Sequence, residues 1–308
     1  MRVVFAGTPE VALASLRAVL ESRHQVAAVV TRPDAPAGRG RRMTPSPVAT
    51  MAAEQGIETL KPDRAGDPDF LRRLKEIGPD CCPVVAYGAL LPERALELSP
   101  RGWINLHFSI LPAWRGAAPV QRSLMAGDEV TGATTFRIVK DLDAGPTYGV
   151  FTEQIRPDDT AGVLLDRLAE HGAGLLVRTL DGIEDGTLVE REQDETLASY
   201  APKLTVEEAQ VDWGRPAFAV DRRVRGCTPS PGAWTTLEGQ RVKVGPATPR
   251  PERTELGPGD LAVGKHTVLV GTGSHALELG EVQPEGKARM RAAAWARGLH
   301  VAPARFGT

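Results

Sequence analysis

RVVFAGTPEVALASLRAVLESRHQVAAVVT, Arg2 to Thr31, decides the fold class. Val3, Val4, Phe5 and Ala6 make an apolar run of strand length that ends at Gly7. Thr8 stands where a helix cap would, Pro9 suits a first helical position, and Ala12, Leu16 and Leu20 recur at helical spacing. HQVAAVVT supplies the next strand. Strand, glycine turn, helix and strand form the unit of a parallel, doubly wound sheet, so the expected class is α/β with a Rossmann-like arrangement. The turn itself, AGTPE, lacks the later glycines of a dinucleotide fingerprint and a ribose-binding acid, which argues against NAD.

The same alternation continues downstream. A helix is expected at about 47–55, a brief strand at IETL, a helix near 67–76, and an apolar strand in CCPVVAYGALLP whose last six residues leave the sheet. Tyr87, Gly88, Leu90 and Leu91 therefore sit at a carboxyl strand end, where open α/β sheets hold ligands. AAPVQRSLMAGD reads as a helix with a glycine stop, TGATTFRIV as a strand that delivers Lys140 to Gly145, and YGVFTEQI as the last strand of this sheet. An amphipathic helix follows from about 160 to 181. These elements give a first domain over 1–186.

Residues 187–204 are polar and aperiodic, as a linker should be. Thr205 and Glu208 then make a capping box for a short helix. A hairpin across Gly239 and several closely spaced short strands suggest a small OB-like barrel over 205–308. Arg222, Arg223, Arg225, Lys243 and Lys287 could follow a phosphate backbone there, or be ordinary solvated charges.

The 308-residue length and 42% hydrophobic content allow two domains with real cores, and a formal net charge of -2 says little about partners. No apolar run reaches membrane-span length, and MRVVFAG enters a strand without a signal peptide's plan, so a cytoplasmic location is expected. Cys81, Cys82 and Cys227 lack metal-ligand spacing and read as buried apolar fillers; no metal is expected.

The chemistry concentrates in INLHFSILPAWRGAAP, Ile104 to Pro119, and in LDAG, Leu142 to Gly145. Asn105, His107 and Ser109 alternate along a strand end and so share one side. An amide can donate to a developing oxyanion, an imidazole can donate or shuttle a proton, and the carboxylate of Asp143 can fix the imidazole or collect the proton. That set suits acyl-group transfer. No serine elbow accompanies it, so the nucleophile belongs to the substrate. Gly145 leaves the backbone free to approach a ligand, and Asp141 offers a second carboxylate nearby.

RPDAPAGRGRRMTPSP, residues 32–47, is an exposed Pro- and Gly-rich loop with Arg39, Arg41 and Arg42 close together. It is either a solvated basic loop or an arm whose guanidinium groups pair with RNA phosphates and base edges.

NLHFSILPAWRGAAPVQRSL followed by LDAG resembles the signature of the folate-dependent formyltransferases. The FAGTPE start, RPDAPAGRGRR, AYGALLP, APKLTVEEAQVDW, RGCTPSPGAW and VQPEGKARM resemble, in order, the members that act on methionyl-tRNA. The resemblance implies transfer of a formyl group from 10-formyltetrahydrofolate to the α-amino group of methionine on initiator Met-tRNA. It implies Asn105, His107 and Asp143 as the catalytic triplet. It implies folate contacts at Ser109, Ile110, Leu111 and Pro112 and at the Tyr87, Gly88, Leu90 and Leu91 loop. For the basic loop it implies an RNA role, with Arg39 at the acceptor stem and Arg41 and Arg42 beside it. Rival readings are a formyltransferase for a sugar or ribonucleotide amine, and a non-catalytic RNA-binding protein that keeps the fold.

Overall fold

The computed structural model describes residues 1–37, 40, 42–299 and 304–307. They fall into two compact units, one of residues 1–116, 130–154 and 165–201, the other of 117–129, 155–164 and 202–308.

The first unit holds strands β1 (Arg2–Gly7), β2 (Gln25–Val30), β3 (Glu58–Leu60), β4 (Cys82–Val85), β5 (Trp103–His107), β6 (Val130–Arg137) and β7 (Thr147–Gln154). They form one sheet in the order β3-β2-β1-β4-β5-β6-β7. The first five strands run parallel, as the alternation of elements requires. β6 pairs antiparallel with β5, and β7 antiparallel with β6, so the parallel sheet that was expected carries an antiparallel edge. The helix between β5 and β6, Pro119–Ala126, belongs to the second unit and makes no crossover in this one, and the loop 138–146 between β6 and β7 is too short for any crossover.

On one side of the sheet Val4, Ala6, Val30, Val84 and Trp103 meet Phe70, Leu74 and Ile77 of the helix Pro68–Ile77. The Trp103 indole is fully buried and satisfies its N–H on the Ala95 carbonyl at 2.9 Å. The long helix Ala161–Asp185 comes close to β5 at Gly172, where a Cβ would lie 2.9 Å from Leu106 Cδ2. Cys81, Cys82 and Cys227 are buried and free, and burial pushes the Cys81 thiol up to about 12.

The first turn differs from its sequence reading. Thr8 caps nothing: its hydroxyl donates to the Tyr87 carbonyl at 2.8 Å, and a 3₁₀ turn, Glu10–Ala12, precedes the helix Leu13–Leu20. Ser46 does cap the helix Pro47–Glu54, accepting from the Ala49 amide at 3.1 Å.

In the second unit the helix Pro119–Ala126 packs on the helix Ala217–Gly226. Two four-stranded antiparallel sheets share one core of Val242, Val244, Val268, Val270, Leu277 and Val282, with the Phe306 ring stacked between Trp213 and Trp295. The hairpin turn at Glu238 and Gly239 has φ 49° and 75°, the left-handed pair a two-residue hairpin needs. Thr205 and Glu208 form both reciprocal capping-box bonds, at 3.2 and 3.0 Å, but the chain makes a turn there and no helix.

Candidate active site

β5 places the chemistry. Along WINLH, Ile104 and Leu106 are buried on one face, while Asn105 and His107 alternate onto the other. The Asn105 side chain is half-buried and its amide has no hydrogen-bond partner among the described residues. His107 is 5% exposed and meets the Phe136 ring edge-on at 6.3 Å.

Beyond His107 the chain doubles back. Ser109 Oγ donates to the Ala113 carbonyl at 2.6 Å, and Thr134 Oγ1 donates to the Ser109 carbonyl while accepting from the Leu111 amide. This folds Trp114, at φ 61°, over the imidazole, so that its carbonyl lies 2.8 Å from His107 Nε2. A carbonyl only accepts, so Nε2 carries the hydrogen and Nδ1 is the exchangeable nitrogen. Nδ1 lies 3.7 Å from Asp143 Oδ2. The same carboxylate oxygen accepts from the Gly116 amide at 2.7 Å. Gly116 sits at φ 121°, and a Cβ there would stand 2.8 Å from the Ala201 carbonyl oxygen.

Strand β5 and two loops thus bring Asn105, His107 and Asp143 to one strand end. Asp141 is exposed, whereas Asp143 is mostly buried and turned toward the imidazole. Burial lowers the His107 pKa below 6.5, opposed by the Asp143 charge and by the Trp114 carbonyl.

That shift has a measurable consequence. The buried His24 is likewise lowered by burial first. For both groups the unfolded chain binds protons that the folded chain refuses. Stability is therefore fully present above 6.5 and is lost as pH falls through the folded values. Denaturant unfolding is expected to give a smaller free energy at about pH 5.5 than at about pH 7.5, and His107→Asn to reduce the difference. An unchanged pH dependence in that variant would assign the effect to other groups.

The remaining expected contacts divide by location. Ser109 is fully buried with its hydroxyl used inside the loop, Leu111 is buried, and Ile110 and Pro112 are partly exposed. Tyr87 turns its ring into the core and leaves its hydroxyl unpaired, so only its backbone faces the strand end. Gly88 follows at φ 81°, and Leu90 is 86% exposed. The backbone N–H groups of Gly88 to Leu91 have no acceptor among the described residues.

Arg42 is exposed on a small hairpin of Ala35–Ala37 with Arg42–Thr44; Arg39 and Arg41 lie outside the described residues. A cavity of about 650 Å³ opens beside this hairpin, between Thr8, Leu13, Arg32, Ser46 and Met51, and does not reach His107. In the second unit Arg223 donates to the Glu208 carbonyl and Arg225 to Asp221, so these two are engaged within the protein.

Sequence reasoning missed the Trp114 carbonyl and the segment 191–201 beside both loops. Ser199 Oγ accepts from the Trp114 amide at 2.9 Å, and Arg115 donates its backbone N–H to the Ser199 carbonyl at 2.8 Å while its own carbonyl accepts from the Ala201 amide at 2.7 Å.

Two family profiles match the chain: formyl transferase over residues 1–180, and formyl transferase C-terminal domain over 203–300. A methionyl-tRNA formyltransferase of Nocardioides sp. is 65% identical over 303 residues, 98% of this chain and 96% of the relative. One from Thermobifida fusca is 61% identical, covering 100% of this chain and 99% of its own. Among solved structures, a sugar 3N-formyl transferase matches with a TM-score of 0.69 over 94% of this chain and 99% of its own. At 15% identity, that likeness shows the fold alone. With profiles on both parts and such relatives end to end, the chain belongs to the formyl transferase family and, within it, to the methionyl-tRNA formyltransferases.

Proposed function

We infer that this chain transfers a formyl group from 10-formyltetrahydrofolate to the α-amino group of methionine on initiator Met-tRNA, with Asn105, His107 and Asp143 as its catalytic residues. The observation that carries the reading is the approach of a buried imidazole and a carboxylate to 3.7 Å, two residues along β5 from a half-buried amide without a partner, in a chain with such relatives.

10-Formyltetrahydrofolate supplies the formyl carbon that the neutral amine attacks. Asn105 donates its amide hydrogen to the charge that develops on the formyl oxygen. His107 takes at Nδ1 the proton shed by the attacking nitrogen, and Asp143 steadies the imidazolium. His107 then returns that proton to the departing folate nitrogen, so the side chains end as they began. Neutral His107 is the form that accepts, and its burial keeps it neutral near pH 7.

The pteridine ring presents alternating donors and acceptors. The backbone N–H groups of Gly88 to Leu91, without an acceptor among the described residues, and the exposed Leu90 and Leu142 fit such a ring. Contacts from Ser109, Ile110, Leu111 and Pro112 belong to the same proposed pocket, made by their backbone at Ser109. The profile matches support a catalytic part over about 1–186 and a tRNA-holding part over 205–308, and of the stretch 187–204 between them the residues up to 201 pack within the first unit. The enzyme works in the cytoplasm, where initiator tRNA is charged; no helix among the described residues is long and apolar enough to cross a membrane.

Incubation with 10-formyltetrahydrofolate and Met-tRNA, an amino sugar or a ribonucleotide amine tests the reading. Formyl is expected on Met-tRNA alone, and preferential formylation of either other amine would overturn it. Arg39, Arg41 and Arg42 form the proposed RNA arm. Reversing their charges is expected to raise the KM for tRNA and flatten its salt dependence while sparing that for folate. Unchanged tRNA kinetics would remove the arm from the account.

A further inference from the structure

We propose that Gln193 is a positioning residue, setting the Asp143 carboxylate against His107 by pinning the loop that carries it. The proposal rests on the catalytic reading of Asp143 given above.

Asp143 sits at φ 49°, in the left-handed region, which aspartate enters more readily than most residues with a side chain but still at a cost that surrounding bonds offset. Gln193 is what brackets it. Its Nε2 donates to the Asp143 carbonyl at 2.8 Å and to the Gly145 carbonyl at 2.7 Å, using both amide hydrogens on either side of Ala144. Its Oε1 accepts from Arg115 Nε at 3.1 Å and from Nη2 at 2.8 Å. The orientation of the amide is decided by chemistry, because a guanidinium only donates and a carbonyl only accepts.

Arg115 is the anchor. It is 2% exposed, and Glu195 grips it through two bonds of 2.8 and 2.7 Å. The next residue, Gly116, donates its backbone N–H to the Asp143 carboxylate. The carboxylate is therefore reached from one fixed residue pair by two routes, through the Gly116 amide and through the Arg115–Gln193 side-chain bridge. The bridge needs one carbonyl and two N–H donors at glutamine length: glutamate lacks the donors, and asparagine is a methylene short.

The test compares Gln193→Glu and Gln193→Met with the full-length wild type, by steady-state kinetics on Met-tRNA and by thermal melting. Glutamate keeps the bond to Arg115 but turns acceptors toward two carbonyls; methionine keeps the length and loses every polar contact. Each variant is expected to melt cooperatively, to keep the KM for both substrates within about twofold, and to lose about 100-fold in kcat, the scale of a 1 Å misplacement. In an Asp143→Ala background the same substitutions are expected to add almost nothing, since Gln193 acts through that carboxylate.

Wild-type kcat in a folded Gln193 variant would overturn the proposal, as would losses that multiply in the double variant. A kcat loss that merely tracks the unfolded fraction would also overturn it. Absence of Met-tRNA formylation by the wild type would instead remove the functional reading, a distinct result.

Discussion

Asn105→Ala is expected to lower kcat by about 100- to 1000-fold, with the KM values little changed and the fold intact, because it removes the proposed oxyanion donor, which would act only as charge develops. The geometry makes this the cleanest test of the mechanism. The amide is half-buried on β5 and has no partner among the described residues, so its loss leaves no group inside the protein without its bond. His107→Ala should cost as much activity but is not equally clean. It takes the N–H donor from the Trp114 carbonyl, empties a space against Phe136, and is expected to cost about 1–3 kcal/mol of stability as well. Kinetics on the purified Asn105→Ala protein decide the point: turnover above about a tenth of wild type would place the amide outside the mechanism.

What could be read from the chain was whatever repeats over a few residues. RVVFAG, HQVAAVVT and CCPVV announce strands by their apolar runs, and INLH exposes its alternation, so the sheet and the strand bearing Asn105 and His107 were legible. Features that depend on a distant partner were not. Thr8 has a helix-capping sequence around it, but its hydroxyl bonds a carbonyl 79 residues away. Thr205 and Glu208 bond each other as a capping box does, yet the helix that pattern implies is absent. The polar stretch after residue 187 looks like a tether because Gln193, Glu195 and Ser199 have no local period. Their partners are Arg115, Trp114 and the Asp143 loop, 48 to 85 residues away. Strand direction at the sheet edge was lost for a similar reason: the helix Pro119–Ala126 has the pattern of a crossover helix, and only its packing on Ala217–Gly226 shows that it is not one.

Gly145→Ala is expected to destabilise the protein by about 3 kcal/mol or more, the range of overpacking a tight interior, and to lower kcat about 100-fold in the fraction that folds. The glycine of LDAG reads in the sequence as space for a ligand, but the space is already taken by the protein. A Cβ at this position would lie 1.8 Å from the Arg137 carbonyl oxygen and 3.0 Å from its carbon, with Val139 Cγ1 at 3.2 Å. Backbone cannot yield as a side chain would, because the Arg137 amide donates to the Pro146 carbonyl at 2.9 Å and closes the same contact from the other side. The loop must therefore move away from the end of β6, and Asp143 lies two residues before the methyl. Gly174→Ala is the control in the same unit. It lies within the helix Ala161–Asp185, and an added Cβ meets only the flexible end of Arg178, at 3.3 Å, so a gain of about 0.4–1 kcal/mol is expected from the unfolded chain's lost freedom. Urea unfolding of both variants measures the contrast. Were Gly145→Ala to unfold within about 1 kcal/mol of wild type, the loop would have room to shift, and close contact with Arg137 would not be what fixes Asp143 in place.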